Sequence, residues 1–238
     1  MKNKLQVVIL CGGLGTRLVE ETEVKPKPMV KIGNLPIIVH IIKIFEYYGF
    51  NEFILAAGYK KEILIEYFKK NNFSSKIKIV DTGQNTMTGG RILRLKSILK
   101  NQKSFLLTYG DGVTNLDINE LIKFHNTHKK IATVTAVHPP VRFGELEINH
   151  NLKVVNFEEK PQAKAGWING GFFVLENKIF DYIKDDNTVF ERDPLEILTK
   201  QEQFMAYKHH GYWQCMDTLR DKRLLNKLWN ENKAPWKK

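Results

Sequence analysis

An apolar run near the start of the chain leads directly into a glycine-rich segment. Residues 6–10 read Gln-Val-Val-Ile-Leu, and Cys11 is followed by Gly12, Gly13 and Gly15. A short, β-branched apolar run that ends in glycines predicts a buried strand that passes into a loop. Glycines let such a loop approach a ligand closely and point several backbone N–H groups at one anion. The pattern therefore predicts an anion site at the end of a central strand.

Hydroxyl and cationic side chains follow these glycines. Thr16 adds a hydroxyl donor, Arg17 a forked cation, and Lys25 and Lys27 two further positive charges. The Walker pattern and G-x-G-x-x-G are both absent, and the glycines alone would favour an ordinary turn with unrelated basic neighbours. The combination with Thr-Arg-Leu and Lys-Pro-Lys-Pro instead favours a loop that binds a nucleoside triphosphate.

Length and composition indicate one folded domain, residues 1–238. The chain has 238 residues, 42% of them hydrophobic and 26% charged, which is enough for a substantial core and argues against disorder. No apolar run reaches the ~20 residues needed to span a bilayer. Residues 1–4 lead straight into the first strand, so we expect no signal peptide. Two cysteines, Cys11 and Cys215, suit a reduced cytoplasmic protein better than a disulfide framework.

The net charge of +11 raises the alternative of a nucleic-acid-binding protein. The lysines are scattered along the chain, however, and none of the modular nucleic-acid-binding motifs occurs. A solvated lysine-rich surface, with some positive charge required by anionic substrates, explains the composition better. We expect neither a nucleic-acid nor a membrane partner.

Strand and helix patterns alternate through the first half of the chain. The predicted strands after the first are 52–57, 76–80, 105–109 and 132–137, and the predicted helices are 36–48, 60–70, 92–99 and 118–129. This βαβ alternation predicts an α/β fold with a three-layer, Rossmann-like, mostly parallel sheet. Ligands of such sheets bind at the carboxyl ends of the strands.

The second half has a different pattern. Residues 144–148 and 154–158 alternate in polarity around a polar turn, which predicts a β-hairpin and a small β-rich lobe. A strand at 171–175, short helices near Ile179 and Pro194, a strand at 204–208 and a last helix at 219–232 follow. No linker, repeat or low-complexity segment interrupts the chain.

Two aspartates are candidate metal ligands. Asp111 follows an apolar strand in Tyr-Gly-Asp-Gly and Asp217 lies in Met-Asp-Thr directly before a helix. A carboxylate at a strand end can hold Mg²⁺ against triphosphate oxygens with few other protein ligands. The structural alternatives are an Asp-Gly turn for Asp111 and a helix N-cap for Asp217 or Thr218.

Two further segments suit a phosphorylated sugar. In Glu158-Glu-Lys-Pro161, Lys160 can meet a sugar phosphate while Glu159 accepts from sugar hydroxyls; taken alone, the segment would be a solvated turn. Asn169, followed by two glycines, can bring an amide and bare backbone to a sugar ring, the alternative being a bulged strand entry.

These segments together resemble the sugar-1-phosphate nucleotidyltransferases, whose signature is G-G-x-G-T-R-L…P-K-P. The finer resemblance is to the glucose-1-phosphate cytidylyltransferases. It extends from residue 5 to about 222 and lies in segments 25–29, 81–91, 109–113, 142–146, 168–174 and 213–218. The resemblance implies the nucleotidyltransferase fold, with a nucleotide-binding half over about 1–130 and a sugar-binding half over about 131–238.

The implied reaction is a direct displacement. A sugar 1-phosphate, glucose 1-phosphate in the finer resemblance, attacks the α-phosphorus of CTP, and pyrophosphate leaves. Roles carry over residue by residue. Catalysis is assigned to Arg17 and Lys27, and Mg²⁺, the one implied cofactor, to Asp111 and Asp217. Nucleotide binding is assigned to Leu10, Gly12, Gly13, Gly15, Thr16, Lys25, Thr88, Gly89, Arg91 and Asp111. Sugar-phosphate binding is assigned to Gly144, Glu159, Lys160 and Asn169.

The resemblance departs from the family at one place. Only Lys61 to Val80 separate Gly-Tyr-Lys from Asp-Thr-Gly, where the family has a longer stretch that helps subunits pack. Whether the chain forms a homo-oligomer is therefore left open. The downstream pathway is also left open; in the family it is the supply of nucleotide sugar for lipopolysaccharide O-antigen. The rival functions are a same-fold transferase with another nucleotide or acceptor (heptose 1-phosphate, mannose 1-phosphate or phosphocholine) and a non-catalytic regulatory relative.

Overall fold

The computed structural model describes residues 5–139, 144–148, 150–159 and 166–238, without the side chains of 144–148 and 156–159. The strands of this part of the chain are β1 to β13: Val7–Cys11, Lys31–Ile32, Leu35–Pro36, Glu52–Ala57, Lys76–Asp81, Ser104–Tyr109, Gly112–Thr114, Ala132–Val137, Gly144–Ile148, Val154–Glu159, Ile168–Glu176, Phe204–His209 and Trp213–Cys215. The helices are α1 to α8: Val19–Thr22, Ile37–Tyr47, Lys61–Lys70, Thr88–Leu93, Lys96–Leu99, Ile118–His128, Asp193–Lys200 and Leu219–Asn230. Single 3₁₀ turns lie at Thr16–Leu18, Lys27–Met29 and Asn177–Tyr182.

A seven-stranded sheet in the order β12-β8-β11-β6-β1-β4-β5 forms the centre of the molecule. Strand β1 pairs in parallel with both β4 and β6, and β12 pairs in parallel with β8. Strand β11 pairs antiparallel with β6 and β8, and it alone runs against the other six strands of the sheet. The predicted mostly parallel, mixed sheet is therefore confirmed. Its carboxyl edge also holds the start of β11.

Two apolar cores flank the sheet and make the fold three-layered. Along β1, Val7, Ile9 and Cys11 belong to one core, whereas Val8 and Leu10 belong to the other. This alternation follows from the two-residue repeat of a strand that is covered on both faces. The first core is closed by α2, α3, α6 and α8, and the second by α4, α5, α7 and the last 3₁₀ turn.

Most of the predicted elements are confirmed within one or two residues. Two differ: the strand predicted over 171–175 begins earlier, at Ile168, and the helix predicted over 92–99 is two short helices, the first of which begins at Thr88. The backbone of β9 and β10 forms the predicted hairpin, a separate two-stranded sheet. No helix in the described residues has the length and apolar character needed to cross a membrane.

Candidate active site

A cavity of about 560 Å³ opens at the carboxyl edge of the sheet, where the loops after β1 and β6 meet the start of β11. Many of the residues singled out from the sequence line it. They are Leu10, Gly12, Gly13, Gly15, Thr16, Arg17, Lys27, Thr88, Arg91, Asp111, Asn169 and Asp217. Residues from both halves of the chain are thus gathered around one opening, as expected for a ligand site of an α/β sheet.

The glycine loop after β1 owes its shape to specific contacts. A Cβ on Gly12 would lie 2.1 Å from the Arg91 guanidinium, so a larger residue there would displace the guanidinium from its hydrogen bonds. Gly15 has φ of 68°, a left-handed conformation that begins the Thr16–Leu18 turn. At Gly13 no atom lies within 4 Å of where a Cβ would be, so the backbone faces open space in the cavity. This leaves it accessible to a ligand.

Lys27 is held by a short proline-bounded turn. Pro26 and Pro28 flank it, and the backbone N–H of Val30 donates to the Lys27 carbonyl over 3.0 Å. Proline fixes the backbone φ, which limits the directions open to the lysine stem. Pro28 packs against Gly110, where a Cβ would approach its ring to 2.7 Å. The lysine turn therefore docks directly on the loop that contains Asp111.

The two aspartates are brought together by a small second sheet. Strands β7 and β13 pair antiparallel, with Cys215 opposite Gly112. The backbone N–H of Met216 donates to the Asp111 carbonyl over 2.8 Å, which continues the pairing past the strand ends. As a result Asp111 and Asp217 face one another although they are far apart in sequence.

Lys27 lies between these carboxylates. Its Nζ donates to Asp111 Oδ2 at 2.6 Å and to Asp217 Oδ1 at 2.5 Å. The Arg17 guanidinium pairs with the other oxygen of Asp217 at 2.6 Å. The Lys27 side chain is 10% exposed and that of Arg17 is 72% exposed. One cation is therefore enclosed and fixed, whereas the other stands in solvent at the mouth of the cavity.

This charge arrangement shifts the acidity of its members. Burial disfavours the charged form of Lys27, but Asp111 and Asp217 outweigh it and hold the lysine pKa above its usual value. Burial likewise works to raise the pKa of Asp217, but the hydrogen bond and charge of Lys27 and the charge of Arg17 lower it on balance. Both groups are therefore charged at neutral pH.

Thr218, rather than Asp217, caps helix α8. The Thr218 hydroxyl accepts from the backbone N–H of Asp221, and the Asp221 side chain accepts from the N–H of Thr218, which completes a capping box. The N-cap alternative for Asp217 is excluded by this geometry. Its carboxylate is left for Lys27 and Arg17.

Arg91 contacts protein backbone rather than open space. Its guanidinium donates to the carbonyls of Gly12 at 2.8 Å, Gly83 at 2.7 Å and Gln84 at 3.1 Å, and to the Thr82 hydroxyl at 2.8 Å. The side chain is buried, with 4% of the residue exposed. Arg91 also lines the cavity, and its predicted nucleotide contact stays a prediction. Its donors tie the glycine loop to the loop after β5.

Replacement of Arg91 tests this bracing role. Arg91→Met is expected to lower the free energy of unfolding by about 3 kcal/mol, because several buried carbonyls lose their donor together. Arg94→Met is the matched control, since Arg94 forms an exposed ion pair with Asp186 and should change stability by less than about 1 kcal/mol. Urea denaturation measures both. Equal effects would contradict the bracing role.

A polar network that the sequence did not indicate crosses the cavity wall. Glu191 accepts from the Thr88 hydroxyl at 2.6 Å and from the Tyr109 hydroxyl at 2.5 Å. Asn169 donates to the Tyr109 hydroxyl at 3.4 Å. Burial, followed by the charge of Glu191, raises the pKa of Tyr109, which stays protonated. The network therefore connects Thr88, a predicted nucleotide contact, with Asn169, a predicted sugar contact.

Several predicted residues are placed elsewhere. Lys25 does not line the cavity and pairs with Glu21 at 3.1 Å. Gly89 does not line it either, since its backbone N–H donates to the carbonyl of Thr188 at 2.9 Å. The nucleotide contacts predicted for Lys25 and Gly89 stay predictions.

Three residues predicted to bind the sugar phosphate, Gly144, Glu159 and Lys160, lie in or next to the β9–β10 hairpin in sequence. Gly144 begins β9 and Glu159 ends β10, and the two are backbone partners across the hairpin. The side chain of Glu159 and the whole of Lys160 lie outside the described residues. Their proposed contacts stay predictions.

Neither cysteine has the lowered pKa that is typical of a nucleophilic thiol. Burial raises the pKa of Cys11 far above neutrality, and burial together with Asp217 raises that of Cys215 to about 12. Both are free thiols. The reading of reduced cysteines is consistent with this geometry.

Comparison with known proteins adds independent findings. Residues 6–221 match the sequence profile of the family described as nucleotidyl transferase. The chain is 46% identical over 255 aligned residues to the glucose-1-phosphate cytidylyltransferase of Salmonella typhimurium strain LT2, which covers 98% of this chain and 99% of that protein. It is 42% identical to the probable glucose-1-phosphate cytidylyltransferase of Bacillus subtilis strain 168, with the same shares.

A solved structure is similar across nearly the whole chain. The crystal structure of HddC from Yersinia pseudotuberculosis superposes with a TM-score of 0.75 at 28% identity, covering 94% of this chain and 99% of that one. The same protein has been solved in complex with GMP-PN.

Proposed function

Since the chain belongs to the nucleotidyl transferase family, we propose that it transfers the cytidylyl group of CTP to glucose 1-phosphate, with release of pyrophosphate. The observation that supports this most is the placement of Lys27 between Asp111 and Asp217 at the end of the glycine loop. The similarity to a named glucose-1-phosphate cytidylyltransferase over 98% of the chain supports the choice of substrates.

The displacement requires anions to meet. An oxygen of the sugar phosphate forms a bond to the α-phosphorus while the bond from that phosphorus to the bridging oxygen breaks, and the electron pair leaves with pyrophosphate. Because both reactants are anionic, catalysis depends on positioning and on neutralising charge that shifts during the step. The cavity offers an enclosed lysine, Lys27, and an exposed arginine, Arg17, for these two tasks.

We propose that Lys27 acts on the reacting phosphates. Its stem is fixed by Pro26 and Pro28, and its ammonium lies inside the cavity. We propose that it turns from its carboxylate partners toward the α-phosphate and the incoming phosphate when substrates bind. Arg17, which stands in solvent, neutralises the leaving pyrophosphate, and the N–H groups of Gly12, Gly13 and Gly15 hold the triphosphate.

The carboxylates fit a magnesium ion. Asp111 Oδ2 and Asp217 Oδ1 both lie within 2.6 Å of the Lys27 Nζ, so the two oxygens already converge on one small cation. Hard carboxylate oxygens are the ligands Mg²⁺ prefers, and it commonly keeps waters and substrate phosphates as the rest. Within the described residues no group of three or more His, Cys, Asp or Glu side chains gathers as a metal site. Asp111 and Asp217 would therefore share Mg²⁺ with substrate oxygens, and the ion would neutralise triphosphate charge.

The hydrogen-bond network around Glu191 connects the expected nucleotide side of the cavity with the expected sugar side. Thr88 lies on the side of the loop after β5, where the base is expected, and Asn169 begins β11 on the sugar side. With Tyr109 and Glu191 between them, these side chains are held in one orientation before substrates arrive. We propose that Thr88 contacts the nucleotide and Asn169 the sugar.

A substrate panel tests the proposal. We expect CTP with glucose 1-phosphate to give the highest kcat/KM when pyrophosphate release is measured across nucleoside triphosphates and sugar 1-phosphates. The segment 81–91 resembles the cytidylyltransferase loop, and Arg91 holds that segment in place. A clear preference for GTP or dTTP would reject the cytidylyl assignment and leave the nucleotidyl transfer intact. No turnover with any pair would favour the regulatory relative.

Two further expectations belong to this proposal. The enzyme would act in the cytoplasm, where CTP and sugar phosphates are both available, and would supply nucleotide sugar for polysaccharide synthesis. Segment 61–80, shorter than in the family, forms α3 and most of the edge strand β5. Any homo-oligomer would have to pack without the longer segment.

A further inference from the structure

A second cavity lies at the opposite edge of the sheet. Its volume is about 630 Å³, close to that of the candidate active site. It is bounded by the residues before β6, β8 and β12 and by the last residue of β11. Six of the seven sheet strands start at this edge and end at the active-site edge, so the two cavities are separated by the length of the strands.

Four lysines surround this cavity: Lys103, Lys129, Lys130 and Lys178. They come from three separate connections, one before β6, one after α6 and one after β11. Over the described ranges of the chain, none of the four forms an ion pair with an acidic side chain. Like charges gathered in this way repel one another, and an anion bound among them would relieve that repulsion.

The acidic residue that lines the cavity, Glu176, already accepts a hydrogen bond. Glu176 accepts from His125 Nε2 at 3.2 Å. His125 is 2% exposed, and burial lowers its pKa, so it is neutral at neutral pH. The cavity lining therefore has four positive charges, on the lysines, and one negative charge, on Glu176, which is hydrogen-bonded to the buried His125.

A chain of hydrogen bonds fixes this arrangement. The backbone N–H of Lys130 donates to His128 Nδ1 at 3.0 Å, so the His128 proton is on Nε2, which donates to the Thr133 hydroxyl at 2.8 Å. The Thr133 hydroxyl must then donate to His125 Nδ1, 2.8 Å away, and His125 Nε2 to Glu176. One assignment of tautomers satisfies every member. The floor of the cavity is thereby preorganised.

We propose that this cavity binds a small anion with two or more phosphate groups, held by Lys103, Lys130 and Lys178. Polyphosphate suits several lysines because each ammonium is a compact charge that takes one phosphate oxygen. Asn126, Gln203 and Tyr182 add uncharged polar groups to the wall. The cavity volume accommodates a nucleotide as well as inorganic pyrophosphate. The site is distinct from the proposed CTP site.

Backbone-amide NMR of the full chain, titrated separately with inorganic phosphate, pyrophosphate and ATP, tests the proposal. Amides of Asn126, Lys130 and Gln203 report on this cavity, and those of Gly13 and Thr16 report on the active site. We expect saturable shifts at the cavity amides with pyrophosphate and with ATP, and much weaker binding of phosphate. Saturation with ATP alone would identify the ligand as a nucleotide. Tighter binding of pyrophosphate than of ATP would identify it as inorganic pyrophosphate.

Charge-removing variants provide the contrast. Each lysine changed to glutamine should weaken binding about tenfold, and Lys103→Gln/Lys130→Gln/Lys178→Gln should abolish the cavity shifts while sparing those at Gly13. The control is Lys31→Gln/Lys43→Gln/Lys69→Gln, which removes the same charge from exposed positions. If the triple cavity variant is unfolded, Lys178→Gln alone gives the comparison. Unsaturable shifts, or equal loss in the control, would overturn the proposal.

Discussion

Lys27→Met is expected to lower kcat about a thousandfold while it changes the KM values for CTP and glucose 1-phosphate much less. The lysine ammonium is enclosed by Asp111 and Asp217, and in our proposal it turns from them toward the phosphates between which charge shifts. Removal of one preorganised donor of this kind costs roughly 10²–10³ in kcat. Interactions that strengthen only in the transition state affect kcat more than binding. Steady-state pyrophosphate release measures both parameters.

Stability gives the Lys27→Met variant a second readout. Loss of the ammonium removes the Lys27 partner of Asp111 and leaves Asp217 with only the exposed Arg17 guanidinium, which should lower the free energy of unfolding by about 3 kcal/mol at pH 7. Lys31→Met, an exposed lysine on β2, serves as the control and should alter neither quantity. A Lys27→Met enzyme with normal kcat and raised KM would show that the lysine only binds substrate.

Asp217→Asn should abolish most activity, and so should Asp111→Asn, because each removes one of two carboxylates proposed to hold Mg²⁺. We expect kcat to fall at least a hundredfold, and the Mg²⁺ concentration for half-maximal activity to rise. EDTA should stop the unmodified enzyme and added Mg²⁺ should restore it. Asp181→Asn, an exposed aspartate, is the control. Full activity of Asp217→Asn would show that Asp217 is only a structural partner of Lys27 and is not needed to hold Mg²⁺.

The effect of Asp217→Asn on the free energy of unfolding should depend on pH. Lys27 and Arg17 hold the pKa of Asp217 below its usual 3.8, so its stabilising effect is complete above that value and is lost as pH falls through the lower, folded-state value. The stability difference between the unmodified protein and Asp217→Asn should therefore be constant from about pH 5 to 8 and vanish in stronger acid. Urea denaturation across this range measures it. A difference that did not shrink as the pH fell below 3.8 would contradict the proposed pairing.

Local patterns predicted much of the fold and part of the site. The glycine loop and Asp111 follow apolar strands in sequence, so their position at the carboxyl edge could be deduced from the alternation of elements. The helix over 92–99 was mispredicted because its apolar residues continue across a break near Leu95, which the structure turns into two short helices. Patterns of polarity record which side of an element is buried, and they do not record where one helix ends and the next begins.

Side-chain partners far away in sequence could not be deduced in this way. Glu191 lies in an acidic and basic segment before α7 that looks like an ordinary solvated loop, and its role depends on Tyr109 and Thr88 reaching it. Arg91 is assigned to the nucleotide because segment 81–91 resembles the family's loop. The sequence did not indicate that the carbonyls of Gly12 and Gly83 accept hydrogen bonds from it. Both outcomes depend on which atoms meet in three dimensions.

The pairing of β7 with β13 has a consequence for how the enzyme matures. Asp217 reaches Asp111 only when the chain has been made almost to its last helix, because β13 and Met216 position it. Strands β1, β4, β5 and β6 are adjacent in the sheet and come from the first half of the chain, so they can associate earlier during synthesis. A nascent chain would then hold Lys27 beside Asp111 alone. The charge-balanced centre would therefore form after those strands, once β13 has paired with β7.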